Sequence, residues 1–317
     1  MIKRENFLQN EVVDLREEMA LVSPTDTPLT TLLMGRGAVV PAKDITVTWR
    51  EKQLNTQRGT LIAEGAEAGS AINSTRNTLS NLCQIIEKVT QVSGTAEALN
   101  PLGIGKSFEA EVSDRLIETK RDLEWYFLNG TKTSESESGG TVTPRQMGGL
   151  LNQIYVPQSG TDYHVQSLAD TSGETTVYSS LTEEIILNGL EAMWSDGAQG
   201  EYYAFCGAFV KRLINNIFKN GTNVRINIDN GIAQVQGVTV QRIESDFGVI
   251  NIVLNRHMAS NTFFAVDLDC VEIAELRGTF YEDLPKSGDY FKGHILNEST
   301  IKLLNSHAAM KITDITK

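Results

Sequence analysis

The chain contains four histidines, the side chain that most often acts as a general base or metal ligand near neutral pH. They are His164, His257, His294 and His307. None forms an H-x-x-x-H or H-E-x-x-H spacing, which would place two rings on one helix face. A metal site would therefore need distant segments to meet in the fold. We expect exposed histidines, or histidines satisfied inside the core, and no metal site.

The cysteines indicate no site either. Cys83, Cys206 and Cys270 are odd in number, far apart and without a C-x-x-C spacing. This pattern is not typical of a disulfide framework or of a zinc site. We interpret them as reduced thiols that fill mostly buried positions as small hydrophobic side chains.

A glycine-containing stretch, GIGKS at residues 103–107, is the nearest approach to a nucleotide-binding motif. A P-loop has a glycine five positions before its Gly-Lys pair, so that backbone N–H groups can surround phosphate. Asn100 occupies that position here. We therefore expect no phosphate site, and we interpret Gly103 and Gly105 as flexible backbone ahead of a helix.

Two carboxylates, Asp267 and Asp269 in VDLDC, lie at a predicted strand end and could act as an acid and a base. The hypothesis that the protein is a hydrolase depends on these two residues. Turn residues that end a strand explain them more simply. The chain has no G-x-S-x-G motif, and ESES at 135–138 lacks the ligand spacing of a calcium loop. We expect no catalytic residue, no cofactor and no enzyme activity.

Composition limits the classes of partner. The 317 residues are 40% hydrophobic and 21% charged, as in a globular protein of about two domains. Asp and Glu number 40 against 28 Lys and Arg, and the net charge of −12 does not favour binding nucleic acid through its phosphates. No apolar run approaches the roughly 20 residues that cross a bilayer, and the first residues lack a signal-peptide pattern. We expect no membrane partner and synthesis in the cytosol.

The first third of the chain alternates short predicted elements with polar stretches. Residues 11–22 place apolar side chains at helical spacing, and two prolines then end the pattern, which predicts a short arm. Ile45, Val47 and Trp49 alternate with polar residues, as in a half-buried strand. A second strand-like run, LCQIIEKVTQV, follows at 82–92.

Residues 55–77, between these runs, are rich in small polar residues and nearly empty of large apolar side chains. A connection of this length without a core of its own is usually functional or disordered. We therefore predict an extended β-hairpin at 38–92. Because a two-stranded ribbon is marginally stable in water, we expect it to lie on a neighbouring copy of the same chain.

The rest of the chain predicts a long helix followed by mixed elements. Apolar residues recur every three or four positions from Ser107 to Asn129, which predicts a helix of roughly 35 Å. The aromatic run at 125–127 ends this helix and is interpreted as core or inter-subunit packing. Residues 176–270 alternate amphipathic helices with short strands, which predicts a compact α+β unit, and residues 271–317 are predicted to return as strands beside the long helix.

The order of these features resembles the major capsid proteins of tailed bacteriophages with the Hong Kong 97-type fold. The resemblance rests on PTDTPLTTLL, the ITVTW strand, RNTLSNLCQIIEKVTQVSGTA, ETKRDLEWYFLNG followed by RQMGGL, and LPKSGDYFKGHILNESTIKLLNSHAAM. It extends over nearly the whole chain and is strongest at residues 76–130.

The resemblance implies an α+β subunit of an icosahedral virus capsid. Its parts would be an N-terminal arm (1–37), an extended loop (38–92), a peripheral domain with a spine helix (93–175), an axial domain (176–270) and returning strands of the peripheral domain (271–317). Such subunits would self-assemble into pentamers and hexamers through the loop and the arm. The shell would enclose double-stranded DNA in the virion without binding a specific sequence.

The resemblance also implies partners. Some members carry a scaffolding segment ahead of the arm, for which this sequence has no room, so we expect a separate scaffolding protein. A portal and decoration proteins are further expected partners, and assembly is expected in the host cytoplasm. An encapsulin-type compartment shell of the same fold, holding protein cargo, is one alternative function, and the hydrolase is the other.

Overall fold

The structure is a computed structural model that describes residues 25–54, 58–59, 61–67, 69, 73–99, 107–138, 140–156, 163–168, 181–198, 200–220 and 241–316. Within these ranges it is a mixed α+β protein, as predicted. The predicted helix at 11–22 and most of GIGKS lie outside the described residues. No helix in the described ranges is long and apolar enough to span a membrane.

Three of the five described helices have a start signal at their N-terminus. The five are α1 (Pro28–Gly35), α2 (Gly94–Ala98), α3 (Ser107–Asn129), α4 (Glu183–Ser195) and α5 (Ala208–Asn220). The proline of α1 stands in its first turn, where no intrahelical N–H is required. The hydroxyls of Ser93 and Thr182 cap α2 and α4 by accepting from backbone N–H groups. The bounds predicted for the long helix, α3, are confirmed.

The strands fall into four sheets among the described residues. In chain order they are β1 (Val39–Pro41), β2 (Thr46–Gln53), β3 (Thr75–Leu82), β4 (Gln84–Ser93), β5 (Ser136–Ser138), β6 (Thr141–Thr143), β7 (Val165–Ser167), β8 (Glu201–Cys206), β9 (Arg242–Ser245), β10 (Gly248–Leu254), β11 (Phe263–Val266), β12 (Val271–Asp283), β13 (Tyr290–Leu303) and β14 (Ala309–Thr313). Two of the sheets are the hairpins β2–β3 and β5–β6.

The β2–β3 hairpin is the extended element that the sequence predicts. Its strands are antiparallel, with Thr46 opposite Leu82 and Gln53 opposite Thr75. Val47 and Trp49 are half-buried between exposed neighbours, as predicted, whereas Ile45, predicted with them, is 43% exposed. The run at 82–92, predicted as the second strand of the hairpin, is not the partner of β2: that partner is β3, and β4 joins a different sheet. The paired hairpin therefore covers residues 46–82, inside the broader predicted range.

The larger sheets have the orders β1-β12-β13-β4 and β7-β14-β11-β8-β10-β9. In the six-stranded sheet β8 and β10 are parallel neighbours, and a crossover that begins with α5 connects them. The last strand of the chain, β14, pairs with β11 and β7. The final part of the predicted group of returning strands thus belongs to the six-stranded sheet.

One hydrophobic core unites this sheet with α4 and α5. Ile185 and Leu190 of α4 and Val210 of α5 are essentially inaccessible, as is Tyr202 of β8. The apolar side of α4 is thus its buried face. Such burial contributes about 1.5–3 kcal/mol for each large apolar side chain, which makes this core a main source of stability.

Among the described residues the chain divides into two compact units. One contains Ile86–Asp122 and Gly278–Asn297, and the other contains Thr27–Ile85, Leu123–Arg277 and Glu298–Lys317. Several elements, including α3, continue from one unit into the other along the chain. The five predicted domain ranges therefore stay predictions.

Candidate assembly surface

The segment that joins β2 to β3 carries apolar side chains with little contact to their own chain. Leu61 is 98% exposed and Ile62 is 64% exposed. We call the described residues 58–59 and 61–67 the loop tip. Adjacent apolar side chains in such an extended segment are typical of a surface that another molecule covers.

The base of the hairpin, in contrast, is fixed to its own chain. The indole Nε1–H of Trp49 donates to the backbone oxygen of Leu303 at 2.9 Å. The carboxylate of Glu51 accepts a hydrogen bond from the backbone N–H of Ser306 at 2.5 Å. Because both bonds reach backbone atoms of the segment 303–306, they set the position of β2 whatever side chains that segment carries.

Asn81 fixes β3 in the same way. Its side-chain amide donates to the backbone oxygens of Gly148 at 2.8 Å and Ile301 at 2.7 Å, and its oxygen accepts from the N–H of Gly148 at 2.8 Å. Asn81 is 1% exposed. A buried amide with both ends satisfied stabilises one arrangement of the three segments, since any shift would leave a polar atom unpaired.

A buried ion pair holds the point where the hairpin becomes β4. Arg145 donates through Nε to the backbone oxygen of Cys83 at 2.7 Å and forms a salt bridge with Glu298. Arg277 donates to the other carboxylate oxygen of Glu298 at 2.7 Å. The Glu298 side chain is only 5% exposed, so the two guanidinium groups compensate its loss of hydration. Arg145 thereby satisfies the carbonyl that lies between β3 and β4.

Glu124 of α3 serves as the N-terminal cap of α1. Its carboxylate accepts from the backbone N–H groups of Leu29 and Thr30, both at 2.8 Å, and from the Thr30 hydroxyl at 2.6 Å. Asn255 donates a further bond at 2.6 Å. Thr27, which precedes the helix, makes no side-chain cap of its own. A negative charge at the positive end of α1 therefore fixes the start of that helix against α3.

The RQMGGL segment requires glycine where it crosses the end of α3. A Cβ on Gly149 would lie 2.5 Å from the backbone oxygen of Leu128 and 2.7 Å from the nitrogen of Gly130. Backbone atoms at that distance cannot move aside, so only a residue without a Cβ lets the two backbone segments approach this closely. The Gly149 N–H donates to the oxygen of Gly130 at 2.8 Å, which satisfies a carbonyl just past the helix end.

Strand β4 has one buried face and one exposed apolar face. Ile86 is 6% exposed, whereas Ile85 and Val89 are 44% and 45% exposed. The sequence predicts that both faces have something to pack against, and among the described residues only one is covered. Trp125, in the aromatic run of α3, is likewise 43% exposed, while Phe127 is in the core. These side chains are further apolar groups that the described part of the chain leaves exposed.

The carboxylates of the hydrolase hypothesis have structural partners. Asp267 caps a 3₁₀ turn by accepting from the backbone N–H of Asp269 at 3.0 Å. Asp269 has a side chain that is 80% exposed and pairs with Arg36. The turn interpretation therefore accounts for both residues.

Two of the histidines meet, which the sequence does not predict. His164 and His307, together with Asp196, place one ligand-type atom each within 4.8 Å of the others. His294 lies elsewhere and pairs with Glu87 at 2.7 Å. In the sequence, His307 stands only two residues before the final strand, β14, and this position does not predict which side chains face it.

The cysteines are free thiols, as predicted. Cys83 and Cys206 are fully buried and Cys270 is partly buried. Burial raises the pKa of each of the three thiols to about 11. At neutral pH they are therefore protonated and inert.

Solved structures with similar folds include capsids and an encapsulin. The chain superimposes on the capsid of a native GTA particle with a TM-score of 0.66 and 11% identity, covering 96% of both chains. The cyanophage A-1(L) capsid gives a TM-score of 0.66 and 13% identity with 99% of both chains covered. The SrpI encapsulin of Synechococcus elongatus PCC 7942 gives 0.55 and 10% identity, covering 94% of this chain and 92% of that one. These likenesses identify the Hong Kong 97-type fold.

No curated protein sequence matches the chain significantly. The model of the SU10 major capsid protein family matches residues 3–316. That match includes the hairpin, the long helix and both large sheets. The protein thus belongs to the SU10 major capsid protein family, whose members form the shell of the virion.

Proposed function

We propose that this subunit assembles with copies of itself into pentamers and hexamers that close into an icosahedral shell around double-stranded DNA. The observation that carries the proposal is the contrast along the hairpin. Its base is bonded to its own chain through Trp49 and Glu51, whereas Leu61 in the loop tip is 98% exposed. A neighbouring subunit under the tip would remove this apolar surface from water.

The net charge supports containment of DNA rather than adhesion to it. At −12, the subunit carries no excess of cations to neutralise phosphates. DNA would be retained because the shell is closed, and shells opened by mild denaturant should release it even at low salt. Retention of DNA by opened shells at low salt would contradict this part of the proposal.

Electron microscopy of the expressed chain tests assembly directly. We expect closed particles from the full chain, alone or co-expressed with its scaffolding protein. Monomers or small oligomers under all of these conditions would contradict the proposal. Co-expression also tests the expected partners, since a scaffolding protein would raise the yield of uniform particles in the host cytoplasm, and a portal would occupy one vertex.

We also infer that the chain has a structural role and no enzyme activity. The roles of Asp267 and Asp269 in a turn and an exposed ion pair support this inference. The double variant Asp267→Asn and Asp269→Asn should still give closed particles. A hydrolytic activity of the native particle that this variant lacks would contradict it.

An encapsulin-type compartment is the second candidate function, and the similarity to the SrpI encapsulin favours it. The two functions differ in what the particle contains. Nuclease-protected DNA in purified particles would support the capsid, whereas one dominant co-purifying protein and no DNA would support the compartment. Neighbouring terminase and portal genes, or instead a gene for a cargo enzyme, give an independent answer.

A further inference from the structure

A cluster of three side chains lies beside the hairpin base. His164 precedes β7, Asp196 ends α4 and His307 lies between β13 and β14. Asp196 Oδ2 is 2.6 Å from His307 Nδ1 and 3.7 Å from His164 Nε2. We propose that the three residues form a binding site for a divalent transition-metal cation. Two imidazoles and one carboxylate are a donor set that suits zinc.

The spacing of the donors fits such a cation. Zinc bonds of about 2.0–2.2 Å in tetrahedral geometry place ligand atoms roughly 3.3 Å from one another. The separations of 2.6 Å and 3.7 Å at Asp196 lie on either side of that value. All three ligand atoms lie within 4.8 Å of one another, so side-chain shifts of about 1 Å would bring the carboxylate and both rings into coordination.

Coordination requires an unprotonated nitrogen on each ring. His164 Nε2 is 3.0 Å from the backbone oxygen of His307, and His307 Nδ1 faces Asp196. A neutral imidazole carries one proton, which can reside on either nitrogen. When the cation binds, the proton of each ring occupies the nitrogen that is turned away from the cation. The hydrogen bonds of His164 Nε2 and His307 Nδ1 are then replaced by two coordinate bonds.

Neighbouring groups orient the rings before a cation binds. The Tyr155 ring stacks on His307 with centroids 3.9 Å apart and an angle of 23° between the planes. It also meets His164 edge to face at 6.4 Å. His164 is 3% exposed, and its backbone oxygen accepts from the N–H of Lys311 at 2.7 Å. Such outer contacts reduce the ordering that a metal ion must impose on its ligands.

Electrostatics favour a cation at Asp196. Its carboxylate stands at the C-terminus of α4, where the helix dipole is negative, and a positive charge there is stabilising. A cavity of about 340 Å³ beside Asp196 and His307 gives access from solvent. Arg50 and Lys52 also line this cavity, so the remaining coordination position suits water or an anion.

A bound cation would also stiffen the hairpin base. His307 directly follows Ser306, whose N–H is bonded to Glu51 of β2. Fixing His307 to the end of α4 would therefore restrict the segment that positions β2. Metal binding should slow hydrogen exchange at residues 46–53.

The test is zinc titration of the full-length, unassembled subunit after treatment with a chelator, followed by calorimetry. We expect one zinc ion per chain. Asp196→Asn and His307→Asn should each weaken binding about 100-fold. The control is His294→Asn, which removes a histidine that also pairs with a carboxylate, and its affinity should equal that of the native chain.

Cobalt gives an independent readout because its visible absorption bands report tetrahedral coordination by nitrogen and oxygen. These bands should appear in the native chain and in His294→Asn and be absent from Asp196→Asn. The proposal is overturned if the native chain binds no zinc, or if both cluster variants bind it as tightly as the native chain. Circular dichroism of each variant separates lost binding from lost fold, and the nearly isosteric Asp196→Asn guards against unfolding.

Discussion

The indole N–H of Trp49 and the backbone oxygen of Leu303 are 2.9 Å apart, which joins the first hairpin strand to the final residue of β13. This bond and the one from Ser306 to Glu51 hold β2 against the last part of the chain. The hairpin is therefore fixed at its base and extended from there. In the proposed shell, a contact made at the loop tip would therefore be transmitted through the hairpin to the subunit that carries it.

Replacing Trp49 by phenylalanine should loosen the hairpin base without unfolding the subunit. The change keeps an aromatic ring but removes the indole N–H donor, and the loss of this hydrogen bond should reduce the stability of the hairpin base by about 1 kcal/mol. Hydrogen exchange of residues 46–53 and 75–82 should become about fivefold faster. Trp194→Phe, at a residue that is 57% exposed, is the matched control and should leave this exchange unchanged. Equal exchange in Trp49→Phe and the native chain would show that the bond does not hold the base.

Charged residues in the loop tip should block assembly without affecting folding. Leu61→Asp with Ile62→Asp should leave the free energy of unfolding of the isolated subunit within about 0.5 kcal/mol of the native value, because both side chains are exposed. In the proposed shell the same charges would be buried, so the yield of closed particles should fall sharply. Denaturant titration and electron microscopy measure the two effects.

The control for the loop tip is Val142→Asp, since Val142 is an exposed apolar residue of the β5–β6 hairpin. It should assemble normally. Deletion of residues 56–73 should reproduce the loss of shells with a folded subunit. If the deletion unfolds the subunit instead, the loop contributes to folding and its interpretation as an assembly element is wrong.

Glu124→Gln should be strongly destabilising. One of the two oxygens that accept from Leu29, Thr30 and Asn255 would become a donor facing other donors. Leaving such buried groups unpaired costs about 3 kcal/mol. Urea denaturation of the unassembled subunit measures the loss. The exposed Glu191→Gln of α4 should cost almost nothing, and similar midpoints for both variants would argue against the capping role.

Gly149→Ala should be among the most damaging of the small substitutions. Its methyl group would contact the backbone of Leu128 and Gly130, so the RQMGGL segment or the end of α3 must shift. We expect this shift to lower the free energy of unfolding by about 3 kcal/mol. Gly35→Ala is the control, because no atom lies within 4 Å of its added Cβ. Thermal unfolding of the two variants should separate clearly, and coincident curves would mean that the crossing can relax.

The native thiols should resist alkylation. With a pKa of about 11 for Cys83, Cys206 and Cys270, only about one thiol in a thousand is ionised at pH 8. Unfolding returns the pKa to about 8.5, so iodoacetamide should then label all three quickly. In the native subunit the partly buried Cys270 should react ahead of the other two. Rapid labelling of native Cys83 or Cys206 would contradict their burial.

Local patterns predicted the elements whose side chains repeat regularly. The stripe from Ser107 to Asn129 gave the bounds of α3, and alternation identified β2. The hydroxyl of Thr182, three residues before Ile185, caps α4. These features depend on residues near one another in the chain, so short-range periodicity and capping chemistry are sufficient to predict them.

The strand that pairs with β2 was predicted wrongly, because the choice between residues 75–82 and 82–92 depends on which sheet β4 joins, and that sheet contains strands far along the chain. The cap of α1 likewise comes from Glu124, well outside the helix that it caps. The cluster of His164, Asp196 and His307 forms because α4 and the β13–β14 connection end at the same place. The sequence by itself therefore determined the elements with a regular side-chain pattern, such as α3 and β2. Only the tertiary structure decided which distant side chains meet, since those contacts depend on sheet order and crossings rather than on the spacing of residues in the chain.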